Sequence, residues 1–198
     1  MQRTIFRLLT LLVFLIPTAS LAHTGHADTA GFAAGFLHPL GGLDHVLAMV
    51  AVGILAYQLG GRALWLLPLA FVVAMGLGGA LGAAHVHVPF VEAGIAISIV
   101  VLGAAIFFGI KAPAVLAAAI AGLFALFHGY AHGAEMPLAG SAASYAAGFM
   151  MATALLHLAG IGVGVGLGRL ARSTSGMALR SAGLLIAVIG AAILTQSV

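Results

Sequence analysis

The sequence predicts an all-α integral membrane protein: a cleavable N-terminal signal peptide, then six transmembrane helices packed through glycine-rich faces. Three observations predict it. Hydrophobic residues make up 63% of the 198 residues and charged residues 6%, with a mean hydropathy of +1.24, whereas a soluble domain carries about 25% charge. Apolar runs of about 20 residues recur along the chain, each long enough to cross a hydrocarbon core. Finally, every basic residue beyond the leader falls on one side of the topology that those runs define.

The leader comes first. Arg3 and Arg7 form a basic start, Leu8 to Ile16 an apolar core too short to span, and Pro17 ends it. Ser20 and Ala22 then supply the small residues of a cleavage site, so residues 1–22 read as a signal peptide and 23–198 as a single six-helix domain. Cleavage makes His23 the new N-terminus. Residues 23 to about 37 read as an exported tail, polar at first and then amphipathic through Gly31, Phe32 and Phe36.

The six spans are placed at 43–60, 62–84, 91–110, 112–130, 142–168 and 177–196. Short connectors with turn signals separate them, among them Gly60–Gly61, Val88–Pro89, Pro113 and Met136–Pro137. With the mature N-terminus outside, the inner connectors hold Arg62, Lys111, Arg169, Arg172 and Arg180, and the outer ones hold no basic residue. That is a positive-inside pattern, with both mature termini outside. Gly160, Gly164 and Gly168 recur every four residues, with Gly162 and Gly166 in parallel and Gly78–Gly82 as a further pair. Such small-residue stripes let helices approach closely where lipid supplies no hydrophobic drive.

Polar groups gather on the outer side. Asp28, Asp44, Glu92 and Glu135 fall there, as do eight of the nine histidines; His157 alone lies deep within a span. The stretch HPLGGLDH sets His38, Asp44 and His45 at the start of the first mature span. Pro39 biases His38 away from helical geometry and Gly41–Gly42 weaken a helix, so the helix proper is expected from about Leu43. Asp44 suits a helix start, but a cap does not call for two histidines beside it. The stretch FHGYAHGAE places His128 and His132 four apart, with Glu135 three further on, all on one helical face. Imidazoles with a carboxylate at that spacing make a nitrogen-and-oxygen metal site.

Three weaker candidates accompany these. His85, His87 and Glu92 precede the third span; the two histidines read first as ordinary loop residues, while Glu92 is better placed for a polar path. His23 and His26, in the exported HTGH, can chelate a divalent ion through a free amine and an imidazole if cleavage follows Ala22. His157, alone in apolar surroundings, reads first as a satisfied packing residue, with a relay ligand as the alternative.

Several function classes are disfavoured. The chain has no cysteine, which removes disulfides, iron–sulfur clusters and thiolate metal sites. Its seven basic residues are scattered, and loss of Arg3 and Arg7 leaves five against four acids, so no nucleic-acid footprint exists. It also lacks a phosphate-binding glycine loop, which argues against nucleotide-driven transport.

HPLGGLDH and FHGYAHGAE together resemble the HupE/UreJ family of nickel permeases, with its HxxxxxDH and FHGxxHGxE signatures, and the resemblance covers the whole mature chain. It implies a multi-pass protein of the bacterial inner membrane that imports Ni²⁺, with Co²⁺ possible, for hydrogenase or urease maturation. It also implies His38, Asp44, His45, His128, His132 and Glu135 as the metal-handling residues, with the ion as substrate and no tightly bound cofactor. On the residues alone two other classes stay open: an intramembrane zinc-dependent hydrolase, and an accessory or sensing subunit without a pore of its own.

Overall fold

The computed structural model describes residues 27–136, 141–170 and 175–197. The signal peptide, His23 and His26 lie outside the described residues, as do Pro137 and Arg172. Among the described residues seven α-helices follow in order: α1 (Ala27–Gly41), α2 (Leu43–Leu59), α3 (Ala63–Ala83), α4 (Val91–Phe108), α5 (Ala114–Ala134), α6 (Ala142–Leu170) and α7 (Ser175–Ser197). No strand occurs among the described residues. Among the described residues five helices, α3 to α7, are long and apolar enough to cross a membrane, and the bent pair α1–α2 makes a sixth if it counts as one span.

Helices α2 to α7 match the predicted spans to within a few residues. The largest difference is at α5, which continues to Ala134 where the expected span stops at 130. His128 and His132 are therefore both helical.

The segment before Leu43 departs from expectation. It was expected as a tail with His38 pushed out of helical geometry, yet α1 runs through His38 and Pro39 to Gly41. Pro39 lies near the helix end, so it deletes only the hydrogen bond to the carbonyl of Gly35. Packing along α6 compensates: a Cβ on Gly35 would strike the backbone of Tyr145, and one on Gly148 the backbone of Phe32. The expected start of the next helix at Leu43 is observed. Gly42 is extended (φ −95°, ψ 115°), and the chain turns by 83° between the two helices.

Backbone-to-backbone contact at glycine builds the helix pairs. On α3 and α5, Gly78, Gly129 and Gly133 each lie directly against the partner's main chain. Gly103 and Gly183 do the same between α4 and α7, and Gly53 and Gly160 between α2 and α6. The contacts also give direction. In the α3–α5 pair Gly78 meets Leu126 and Gly82 meets Tyr130, so the helices run the same way; in the α4–α7 pair Gly103 meets Ala187 and Gly190 meets Ile99, so they run oppositely. Both directions are what alternating membrane crossings require. Of the two glycine stripes expected on α6, one packs: Gly160 lies on α2 and Gly164 and Gly168 hold the Tyr57 ring. Gly162 and Gly166 meet nothing within 4 Å; they fall on the opposite side of the helix, where two-residue spacing turns the chain through about 200°.

Polarity is reversed relative to a soluble protein. The buried polar residues are His45, Ser98, His128, Thr153 and His157, all fully enclosed. Trp65, Leu69, Val73 and Leu77, one turn apart on α3, are each more than half exposed. A stripe of large apolar side chains facing outward suits a lipid surround rather than water. Helix α2 is the central element, with Ala48, Met49 and every residue from Ala51 to Ala56 buried.

Candidate metal-ion site

The break at Gly42 swings the end of α1 over the end of α5. This brings His38 to His132 and Glu135, although 94 residues separate the two imidazoles. His38 Nε2 lies 3.0 Å from His132 Nδ1 and 3.3 Å from Glu135 Oε2, and His132 Nδ1 lies 3.9 Å from the same carboxylate. These three are the group among the described residues whose ligand atoms converge as a metal site requires. Ligand atoms about 2.1 Å from a divalent ion stand roughly 3.0 Å apart in an octahedral shell and roughly 3.4 Å in a tetrahedral one. The 3.0 and 3.3 Å separations match edges of such a shell, and the 3.9 Å separation is longer than either edge. Burial rises inward, from a Glu135 side chain 65% exposed to a His132 side chain 14% exposed.

The cluster opens onto a cavity of about 410 Å³ that Asp44 and Glu92 also line. Three carboxylates thus face one mouth. Asp44 Oδ1 accepts the main-chain N–H of His45 at 2.8 Å. A Cβ on Gly42 would come within 2.7 Å of that oxygen, so glycine there gives the carboxylate its room. Glu92, in the first turn of α4, is exposed at the cavity edge.

Behind the mouth the histidines form a file. The His132 ring centre is 5.0 Å from that of His45, and His45 is 5.5 Å from His128. Phe71 follows at 5.8 Å from His128, and His157 lies 5.2 Å beyond Phe71. Phe149, Thr153 and His157, one turn apart on α6, flank the file: Phe149 packs on His38, His45 and His132, and Thr153 touches His45.

The sequence-predicted residues therefore separate into groups. His38, His132 and Glu135 converge, and Asp44 shares their cavity. His45 and His128 sit deeper, so the expected pairing of His128 with His132 on a single ion is replaced by His38 with His132. His85 and His87 are exposed in the α3–α4 connector, outside the cluster. His157 is not the satisfied packing residue first expected: both ring nitrogens are buried without a hydrogen-bond partner. Sequence reasoning passed over Ser98, Thr153 and Phe71. The two hydroxyls had one signal, that each stands alone in an apolar stretch of a span; Phe71 had none.

With this geometry in place the chain can be compared with known proteins. The sequence profile of the family described as HupE / UreJ protein matches residues 11–193. The chain belongs to the HupE/UreJ family. It is 45% identical over 187 residues to Protein HupE of Rhizobium leguminosarum bv. viciae, a match covering 93% of this chain and 95% of that one. No solved structure matches it. The matched region takes in all the helices bearing the mouth and the histidine file.

Proposed function

We propose that the chain is a secondary nickel permease that brings Ni²⁺ across the cytoplasmic membrane for hydrogenase or urease maturation, without ATP. The observation that carries this reading is the convergence of His38, His132 and Glu135 at an acidic mouth, continued inward by buried imidazoles. Carboxylates neutralise the ion as it sheds water, and nitrogen ligands suit a borderline divalent metal. The proposed topology has residues 1–22 removed, six spans in a single domain of residues 23–198, and both mature termini outside. Capture then occurs on the outer face. An inside-negative potential of about 100 mV draws a divalent ion inward with about 4.6 kcal/mol, which serves for facilitated diffusion. The outer ligand set is open and incomplete, as release requires. Co²⁺ meets the same ligands and is the alternative cargo.

The test is Ni²⁺ uptake into proteoliposomes holding the purified protein, under an imposed inside-negative potential, with Co²⁺, Zn²⁺ and Cu²⁺ as competitors. Potential-driven Ni²⁺ uptake is expected, and its absence refutes transport by this chain alone. Two imidazoles and a carboxylate also hold zinc in hydrolases, so tightly retained Zn²⁺ with hydrolysis of vesicle lipid would favour the hydrolase reading instead.

A further inference from the structure

Helix α3 divides its small residues between two faces. Gly78 and Gly82 lie against the main chain of α5, whereas Gly76, Ala80 and Ala83 look toward α6 across a gap. A Cβ on Gly76 would meet only the end of the Met150 side chain, at 3.9 Å, and Ala80 and Ala83 are exposed. On the α6 side Ala142 and Ala146 are small and exposed as well. Small residues on facing helices ordinarily serve close backbone approach; here they bound a cavity of about 240 Å³ instead. Met75 and Met150 line its deep end, and Met136 and Ala142 the end beside the mouth. His132 belongs to both this cavity and the mouth. The cavity is thus an inlet between α3 and α6 that leads from the outward surface of the bundle to the His132 ring.

We propose that this inlet holds one acyl chain of a bilayer phospholipid, which closes the membrane side of His132. The inlet continues the lipid-facing surface. Val73 and Leu77, both more than half exposed, stand one turn from Gly76 and Ala80 on α3, and Met151, 52% exposed, adjoins Met150 on α6. Its long axis follows the helices. Ala142 to Met150 covers about 12 Å of helix, so about 240 Å³ gives a mean section of roughly 20 Å². That admits a single alkyl chain, whose carbons touch their neighbours at about 3.5–4.0 Å. It does not admit a helix about 10 Å across, so a second copy of the chain cannot seat a helix there. No charged side chain among the described residues lines the inlet, and a file of water in it would lack the two to four polar partners that each molecule needs. The thioethers of Met75, Met136 and Met150 are flexible and polarizable, which suits them to follow a mobile chain. Filled in this way, the inlet gives His132 a dry back wall opposite the carboxylates of the mouth. The proposal needs only that these helices cross a membrane, and it is independent of metal import.

Full-length protein in vesicles of phosphatidylethanolamine and phosphatidylglycerol tests this. The vesicles carry a trace of phosphatidylethanolamine with a diazirine midway along one acyl chain, and photolysis is followed by peptide mass spectrometry. Labelling at Ala80, Ala146 and Met150 is expected to exceed that at the outward stripe of Leu69, Val73 and Leu77 at least about fivefold, which is about 1 kcal/mol of preference over the surrounding lipid. Ala80→Phe and Ala146→Phe each fill the inlet from one wall. Both are expected to cut labelling at Met150 by about the same factor and to leave the stripe labelled as before. Wild-type labelling of the inlet no greater than that of the stripe would overturn the proposal whether or not the phenylalanine variants fold. Undiminished labelling at Met150 in both variants, with their thermal unfolding in detergent unchanged, would overturn it as well.

Discussion

Replacing Glu135 by glutamine removes one charge from the mouth and leaves the side chain's size and hydrogen-bonding reach almost unchanged. Its Oε2 stands 3.3 Å from His38 Nε2 and 3.9 Å from His132 Nδ1, so an ion held by the two imidazoles is in direct reach of it. Unit charges about 4 Å apart interact by about 1 kcal/mol in bulk water and about 4 kcal/mol at a protein-like dielectric. The Glu135 side chain is 65% exposed, which argues for the water-like value. A divalent ion doubles it to about 2 kcal/mol, or about 30-fold in affinity. In Ni²⁺ uptake by proteoliposomes, Glu135→Gln is therefore expected to raise the half-saturating concentration about 30-fold. The maximal rate should change far less, because the imidazole file behind is intact. An unchanged half-saturating concentration would refute direct capture by Glu135. A collapsed maximal rate at normal affinity would place its role beyond the mouth.

The glycine contacts make a paired prediction. Gly129→Ala drives a methyl group into the Met75 carbonyl and is expected to cost about 1–3 kcal/mol of stability or more, whereas Gly162→Ala, which meets nothing within 4 Å, is expected to be silent; thermal unfolding in detergent compares them. Because the chain has no cysteine, His87→Cys and Lys111→Cys give clean topology probes: an impermeant thiol reagent applied to intact cells should label the first and spare the second.

Legibility in the sequence followed locality. Helices α2 to α7 were readable because length and apolar composition alone set a membrane helix. The end of α5 was less so, since the polar motif that extends it lowers the apolar signal on which a span boundary depends. Helix α1 was misread because Pro39 and small residues argue locally against a helix, while the packing that overrides them comes from Tyr145 and Gly148, more than 100 residues away in the chain. The site shows the same division. His132 with Glu135 and Asp44 with His45 are neighbours in sequence and were picked out together. That His38, not His128, meets His132 depends on an 83° turn that no motif encodes. His157 was misjudged for a related reason: whether a buried imidazole has a partner is a property of the helices around it.

The turn at Gly42 also explains why the polar residues of one short stretch are shared between two depths. Were α1 and α2 one straight helix, His38 and His45, seven residues apart, would lie on nearly the same face about 10 Å apart along the axis. Both would then line one path at fixed spacing. The turn separates their tasks. It lays His38 onto α5 at the exposed mouth and leaves His45 in the closed interior, where it is fully buried. Asp44 sits at the junction, with its carboxylate on the cavity and bonded to the main chain of His45. A negative charge at the first turn of α2 also opposes the positive end of the helix dipole, which would otherwise repel an approaching cation. Capture by charge and passage by nitrogen thus meet at one glycine, and a side chain at position 42 would disturb both by displacing the Asp44 carboxylate.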